Sequence, residues 1–470
     1  MSFLGLHTGL SGVRAGQTAI DVAANNIANS STPGYTRQRV DLTNRPSYTS
    51  LAGQVGTGVD VQSISRLRDS FLDGRARSAS ADAAAKGTRA ELLGRMEDLT
   101  GEPDNGIATR LNALWSAAET WSNDPADTAS RRQVLTELAS VSETFRSTAT
   151  QWDTLEQDVT AQRTDLTAQA NEALQQLHDL DRRIANADPS RVGSEVFDQR
   201  DLLLDDVARL TGATVGIGTD GRSQVRLGDT DLVSEAGAGS LTFDADGTLT
   251  VIAADGTATA HLPADAPNAI GGHLGGLTRV LESDLPTWRG ELDALATDLA
   301  DAINGANAAG IRADGTPGEP LLGGDSAATL RLVDGTGPAD LAAAAATDSD
   351  GVPYDVDNLP PPHDASNARG FADLRTDPAA GQDRTIDDRL ADLTTTLAGE
   401  VRSARAAGDA ARAINGQAGL ARSAEHSVSI DEEMVALVQH QRALEAASRV
   451  MTTVDEALDV LINRTGVVGR

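Results

Sequence analysis

Cysteine is absent from the 470 residues, which removes disulfides, thiolate metal sites and thiol catalysis together. Aromatic residues make up 3%. No single core is therefore expected to be rich in large rings, and burial falls to Leu, Val, Ile and many Ala, a composition suited to helices packed at close range. No apolar run approaches the roughly 18 residues of a membrane span. Met1 to Leu10 lacks the basic start, apolar run and small-residue cleavage site of a secretory signal, so on these rules alone the chain reads as cytoplasmic. Lysine is nearly missing, with Lys86 the only one.

Negative charge is plentiful. The net charge is −30, yet residues 1–70 carry six Arg against four acids and residues 425–470 four Arg against eight acids. The acidity thus lies in the middle and the ends are nearly balanced. A chain of this sign repels nucleic acid and anionic membrane alike, so neither is an expected partner, and the acidity reads as a solubilising outer surface.

Near the N-terminus, apolar residues fall at Leu6, Leu10, Val13, Ile20, Ala24 and Ile27. With Gln17 in the one polar slot, the spacing alternates four and three, the seam of a helix packed on another helix. Asn25, Asn26, Asn29, Ser30 and Ser31 then lead into Pro33-Gly34. Asn and Ser compete for backbone hydrogen bonds, and the residue before Pro is pushed out of the α region. The helix is expected to stop between Asn29 and Pro33, and the chain to run extended from Tyr35 to Leu42. The segment Ala24-Asn25-Asn26-Ile27-Ala28-Asn29 with Pro33-Gly34-Tyr35 resembles the N-terminal signature of the flagellar axial proteins, which build the rod, the hook and the hook–filament junction. Thr36-Arg37-Gln38 resembles the junction members in particular.

Further along, Val59 to Ile64 alternates between flanking glycines and predicts a short strand or arm. Gly53, Gly56 and Gly58 are in the wrong order for a dinucleotide loop. Helical text follows from about Ser65 to Leu99 and resumes at Ile107. Asp124-Pro125 marks a break, with Asp124 expected as the N-cap of the next helix and Pro125 at its first position. A sustained heptad then runs Leu138, Val141, Phe145, Thr148, Trp152, Leu155, Val159, Gln162, Leu166, Gln169, Ala173, Leu177, Leu180, Ile184. It predicts one helix over about 130–187, roughly 85 Å long, which needs partners along most of its length. Val196 to Leu204 opens a further helix ending at Thr211-Gly212. There Asp198 and Asp201 flanking Arg200 read as an exposed or partly buried salt link on the helix surface.

The period then changes. Short β-type runs at Thr214–Ile217, Gln224–Leu227, Leu241–Phe243 and Leu249–Ile252 are separated by Asp220-Gly221, Asp246-Gly247 and Asp255-Gly256, the turn pairs of hairpins. Asp244-Ala245-Asp246-Gly247 resembles the start of a calcium loop but lacks the third oxygen ligand and the closing Glu. Gly271-Gly272 and Gly275-Gly276 read as a hinge, and Leu277 to Ala309 as helix. Residues 311–365 are rich in Gly, Asp, Ala and Pro, with Leu330 to Val333 a candidate strand. Helix resumes over about 386–421. A last helix follows over about 429–463, opened by Ser429 and Glu432 as a capping box. Its stripe is Leu437, Leu444, Met451 and Leu458 at intervals of seven, with Ile430, Met434, Val454 and Leu461 filling in and Gln441 as the polar interruption. This C-terminal segment resembles the C-terminal motif of the same family.

The seven His lie at 7, 178, 261, 273, 363, 426 and 440, no two at ligand spacing on one helix face, and no His-Glu-x-x-His or Gly-x-Ser-x-Gly segment occurs. No catalytic, cofactor or metal site is expected. The fold expected is mainly α with an inserted β-rich part. Residues 1–45 with 425–470 would form a terminal coiled-coil domain. Residues 46–211 with 268–310 and 386–424 would form a long helical bundle, and 212–267 with 311–385 an outer β-rich domain.

The assembly interface is expected at Leu6, Leu10, Val13, Ile20, Asn25, Asn26, Ile27, Asn29, Pro33, Gly34 and Tyr35, and at Met434, Leu437, Gln441, Leu444, Met451, Leu458 and Leu461. The resemblance implies a homo-oligomer in a helical ring that joins hook to filament. Its partners would be the hook protein and a second hook-associated junction protein. Export would run through the flagellar type III channel without a cleaved signal, with an export chaperone on the C-terminal helix. The rival readings are another axial protein, of the hook or distal rod, and a secreted adhesin or hydrolase.

Overall fold

A computed structural model describes residues 4–50, 53–100, 106–188, 192–244, 247–259, 270–460 and 462. Helix α1, Leu4–Ala28, carries Asn25 and Asn26 in its last turn and ends just before Asn29. After a turn in which Gly34 takes a φ of 77°, strand β1 (Gln38–Asn44) pairs antiparallel with β4 (Val59–Arg66). Between them β2 (Tyr48–Ser50) and β3 (Gly53–Val55) form a small hairpin at the tip. The arm lies on α1 at Gly58, whose φ is +111° and where a Cβ would stand 2.2 Å from Ser11 Oγ. Only glycine meets both demands.

The bundle follows as α2 (Ser70–Thr100), α3 (Ile107–Asn123), α4 (Thr128–Asn186) and α5 (Ser194–Thr211). Asp127, not Asp124, caps α4 by accepting from the amides of Ala129 and Ser130. At 59 residues α4 is about 88 Å long. Its buried face follows the heptad from Leu138 to Val159 and then moves to Arg163, Thr167, Ala170, Leu174 and Leu177, leaving Gln162 and Gln169 exposed. A straight helix has 3.6 residues per turn and drifts off a strict seven-residue repeat, so Gln162 and Gln169 are not seam positions.

The few rings are concentrated. Trp115, Trp121, Trp152, Phe145 and Phe371 are the largest fully buried side chains and share one apolar cluster with Trp288. Trp121 meets Phe371 edge to face, with centroids 5.7 Å apart. The expectation that no single core would be rich in large rings is corrected: the few rings of the chain gather in this one cluster.

Beyond α5, capped by left-handed Gly212, strands β5 (Thr214–Ile217), β6 (Ser223–Leu227) and β7 (Thr230–Val233) form one sheet. Strands β8 (Ser240–Phe243) and β9 (Leu249–Ile252), with Ala258–Thr259, form another. Gly221, Gly247 and Gly256 take positive φ in the turns; Ala245 and Asp246 lie outside the described residues. These sheets cover a second cluster shared with Ala170, Leu174, Leu177 and Leu204.

Helix α6 (Gly272–Arg279) continues through a π turn at Val280–Asp284 into α7 (Leu285–Ala308). The glycines there are not a hinge. A Cβ on Gly272 would stand 2.3 Å from Arg209 O, and one on Gly276 2.6 Å from Ala85 O, so they permit close backbone packing. Residues 310–345 hold two-residue strands, among them Arg331–Leu332. Side-chain amides pin this stretch: Asn307, fully buried, donates to Glu319 O and Asp340 O and accepts from the Ala342 amide.

Leu321, Leu330, Leu341 and Phe371 belong to the tryptophan cluster. The two stretches expected to share one outer domain thus pack into different cores. Helices α8 (Ser366–Asp373), α9 (Ile386–His426) and α10 (Ile430–Asp459) complete the chain. Helix α9 lies along α2, and α10 returns to pair antiparallel with α1.

Candidate assembly interface

On the α1 side, the seam with α10 is made of small residues. A Cβ on Gly5 would stand 3.2 Å from Val454, on Gly9 2.7 Å from Met451 Cγ, on Gly12 3.1 Å from the Ala447 Cβ, and on Gly16 3.3 Å from the Leu444 Cβ. The buried residues of α1 are Gly9, Ser11, Ala15, Gly16, Ala19, Val22, Ala23 and Asn26. This stripe has the same four–three rhythm as the leucine stripe but sits beside it. Leu6, Leu10, Val13, Ile20 and Ile27 are consequently half-buried flanks. The rhythm is right and the face is wrong, because side-chain size was taken as the guide where close backbone approach decided.

On α10, Leu437, Leu444, Met451 and Leu458 are half-buried, Met434 and Gln441 are exposed, and Leu461 lies outside the described residues. Of this 30-residue helix only Glu433 is buried.

The asparagine stretch forms a polar knot at the base of the pair. Asn26, 1% exposed, uses all its hydrogen-bonding capacity. Its Nδ2 donates to Gln38 O at 2.9 Å and Glu433 Oε2 at 3.1 Å. Its Oδ1 accepts from the Gln38 amide at 3.0 Å and the Tyr35 hydroxyl at 2.8 Å. Asn29 folds back to Asn25 O, closing the helix end, while exposed Asn25 donates to the Tyr35 oxygen. The Tyr35 phenol is pushed up to about 12 by burial, with the negative charges of Asp198 and Glu433 adding to it.

Arg37 grips both acids of α10, with Nε to Glu433 at 2.7 Å and Nη1 to Glu432 at 2.9 Å. The capping box is therefore half-formed: Ser429 accepts from the Glu432 amide, but the Glu432 carboxylate is taken by Arg37. Pro33 and Gly34 are exposed at the turn, where a Cβ on Gly34 would collide with Leu202 of α5.

Below the knot, charge connects the terminal pair to the bundle. Asp198 accepts from the Thr36 amide and pairs with Arg66 at 2.9 Å; Asp201 pairs with Arg66 and Arg68. Arg77 and Arg422 share Asp205 at 2.6 and 2.7 Å, and Arg422 also reaches Asp73 at 2.9 Å. Burial pulls the Arg66 and Arg68 guanidinium groups downward, Arg68 to about 10, against the acids that hold them charged. Asp198, Arg200 and Asp201 are all buried, which corrects the helix-surface salt link: Asp201 meets Arg66, 135 positions away, Asp198 meets Arg66 and the Thr36 amide, and Arg200 donates to Gly221 O. Arg37 and Glu433 stood inside the recognised motifs, but no local signal pairs charges so far apart. Among the described residues no His, Asp or Glu group is arranged to hold a metal, and no helix is long and apolar enough to cross a membrane.

Comparisons with known proteins converge on one family. Residues 93–322 match the helical domain of flagellar hook-associated protein FlgK. Residues 6–36 match the flagella basal body rod protein family, and 426–464 the C-terminal family of flagellar basal body rod FlgEFG proteins. Flagellar hook-associated protein 1 of Bacillus subtilis is 28% identical over the whole chain and 99% of its own length. The Salmonella typhimurium protein of that name is 26% identical over 67% of this chain and 58% of its own. The solved flagellar hook junction protein FlgK from Burkholderia pseudomallei shares the fold at a TM-score of 0.65 and 17% identity, covering 76% of this chain and all of that one. Along its whole length the chain is similar to flagellar hook-associated protein 1, and at its two ends to the rod and hook families of axial proteins.

Proposed function

We propose that this chain is a structural adaptor that joins hook to filament in the bacterial flagellum by helical self-assembly. One observation carries the reading. Helix α10 buries only Glu433, while Ile430, Met434, Val435, Val438 and Val450 stand exposed, beside the half-buried Leu6, Leu10, Val13 and Ile20 of α1. A helix pair with this much apolar surface uncovered is half of an interface. Neighbouring copies cover it through unlike surfaces, so the contact extends into a tube instead of closing into a dimer. The site residues of the two stripes belong to this contact.

In this role the chain acts as a connector and catalyses nothing. Its neighbours are the hook protein on one side and a second hook-associated junction protein on the other. It is made in the cytoplasm, held by an export chaperone on α10, and exported through the flagellar type III channel to the cell exterior. The 59-residue α4 favours this assignment over a hook or distal-rod protein, whose middle should be dominated by β structure. Electron microscopy of cells lacking the protein tests it. Hooks without filaments, with flagellin shed into the medium, are expected; filaments of normal length would overturn it.

A further inference from the structure

The joint between the terminal unit and the bundle holds little apolar surface. No member of either apolar cluster lies before Ala90 or after Ala404. Three chain crossings meet there, and one residue, through its backbone carbonyl and its ring, joins them. His426 is the last residue of α9, where the chain leaves for α10. Its carbonyl accepts from the Arg37 amide at 3.0 Å, where the chain leaves α1 for the arm, and Arg37 O in turn accepts from the Leu67 amide at 2.9 Å. Its ring Nε2 accepts from the Asp69 amide at 3.0 Å, where the chain enters α2.

An imidazole nitrogen that accepts a backbone N–H carries no proton, so the docked ring is neutral with its hydrogen on Nδ1. Nδ1 stands 3.7 Å from Asp73 Oδ1. We propose that His426 is a proton-sensitive pin in this joint: a proton added at Nε2 expels the Asp69 amide and frees the terminal helix pair to change its angle to the bundle.

The surroundings favour the neutral ring. His426 is buried, and burial is the largest influence holding it below its ordinary value. Of the charged groups facing it, Arg68 on the approach to α2 and Arg422 one turn back on α9 oppose a proton, whereas Asp73 on α2 and Glu425 beside it favour one. The remaining charges are engaged elsewhere: the Asp69 carboxylate accepts from the Phe71 and Leu72 amides, and Arg37 is held by Glu432 and Glu433. A cleft of about 370 Å³, lined by His426 together with Tyr35, Arg77, Asp205 and Arg422, opens beside the ring and admits the proton. The sign follows from linkage. Docking favours the unprotonated ring, so the joint is firm above the ordinary histidine value and loosens as pH falls below it.

The absence of cysteine makes the test clean. The full chain carries Thr136→Cys on α4 and Ser448→Cys on α10, both at exposed positions, and the distance between spin labels is measured from about pH 7.5 to about pH 5. The expected result is one narrow distance at the higher pH. The ratio of a second, broad population to the narrow one should then rise up to about tenfold per pH unit below the ordinary histidine value. His426→Gln, which offers an oxygen acceptor and no titration, should remain narrow throughout. A wild-type distance that stays narrow, or equal broadening in both chains, overturns the proposal. Independently of the variant, Nε2 of His426 in 15N-histidine-labelled protein should gain its proton at the midpoint of the broadening; a displaced midpoint overturns it too.

Discussion

Asn26 donates to Glu433 across 3.1 Å, joining residues 407 positions apart. Both are buried, and each satisfies the other in a place where neither has water. The knot holds the first helix to the last and sets where α1 stops. Asn26→Ala strips the Gln38 amide and carbonyl, the Tyr35 hydroxyl and Glu433 of a partner at once. Each group left buried and unpaired costs about 1–3 kcal/mol. The terminal pair is expected to open, seen as fast hydrogen exchange along α10, while the exchange of α4 is unchanged.

The glycine stripe and the leucine stripe of α1 are expected to separate two properties. Gly9→Val thrusts a branched side chain at Met451 across the seam, and overpacking of this kind costs about 1–3 kcal/mol. It should undo pairing in the isolated chain. Leu10→Ala removes a half-buried flank, leaving helix exchange in the monomer nearly unchanged but lowering the yield of sedimenting assemblies. Equal loss of pairing in both variants would remove the distinction.

Asp201 neutralises Arg66 and Arg68 in a buried setting. Asp201→Asn leaves those cations uncompensated, and breaking a buried pair by removing one partner costs about 3–5 kcal/mol. The urea midpoint should fall, with the loss concentrated at the joint and not at the tryptophan cluster. Tryptophan fluorescence, which reports the distant bundle, should then change after the joint has opened.

The raised phenol of Tyr35 makes an alkaline prediction. The folded chain favours the protonated phenol more than the unfolded chain does, so this contribution is complete below the ordinary tyrosine value of 10.0 and lost as pH climbs toward about 12. Of the three tyrosines, Tyr35 should form phenolate last in an absorbance titration, after Tyr354, whose phenol is also held above its ordinary value by burial and the charges of Asp364 and Asp348. Tyr35→Phe should abolish that late step.

Much of the architecture was legible because it is a property of local chain. The heptad of α4 gave its ends to within two residues, since a helix must repeat its apolar face wherever it packs. The Asp-Gly turns announced the strands after Gly212 because left-handed backbone is affordable mainly to glycine. The segment 311–365 was opaque for the opposite reason. It is held by the amides of Asn304, Asn307 and Asn367, which leave no period to read.

The candidate site was legible in rhythm and not in facing. Four–three spacing located both terminal helices and their pairing, but Gly5, Gly9, Gly12 and Gly16 rather than the leucines beside them make the contact. Sequence alone determined that two helices at opposite ends share a seam, that a long helix lies between them, and that the acid sits in the middle, because periodicity and charge are carried by neighbouring residues. Which face of α1 meets α10, why Asp198 and Asp201 are buried, and how His426 comes to touch three crossings were decided only by tertiary structure. Those relations depend on the close approach of groups hundreds of residues apart, where a gap of about one side chain separates contact from solvent.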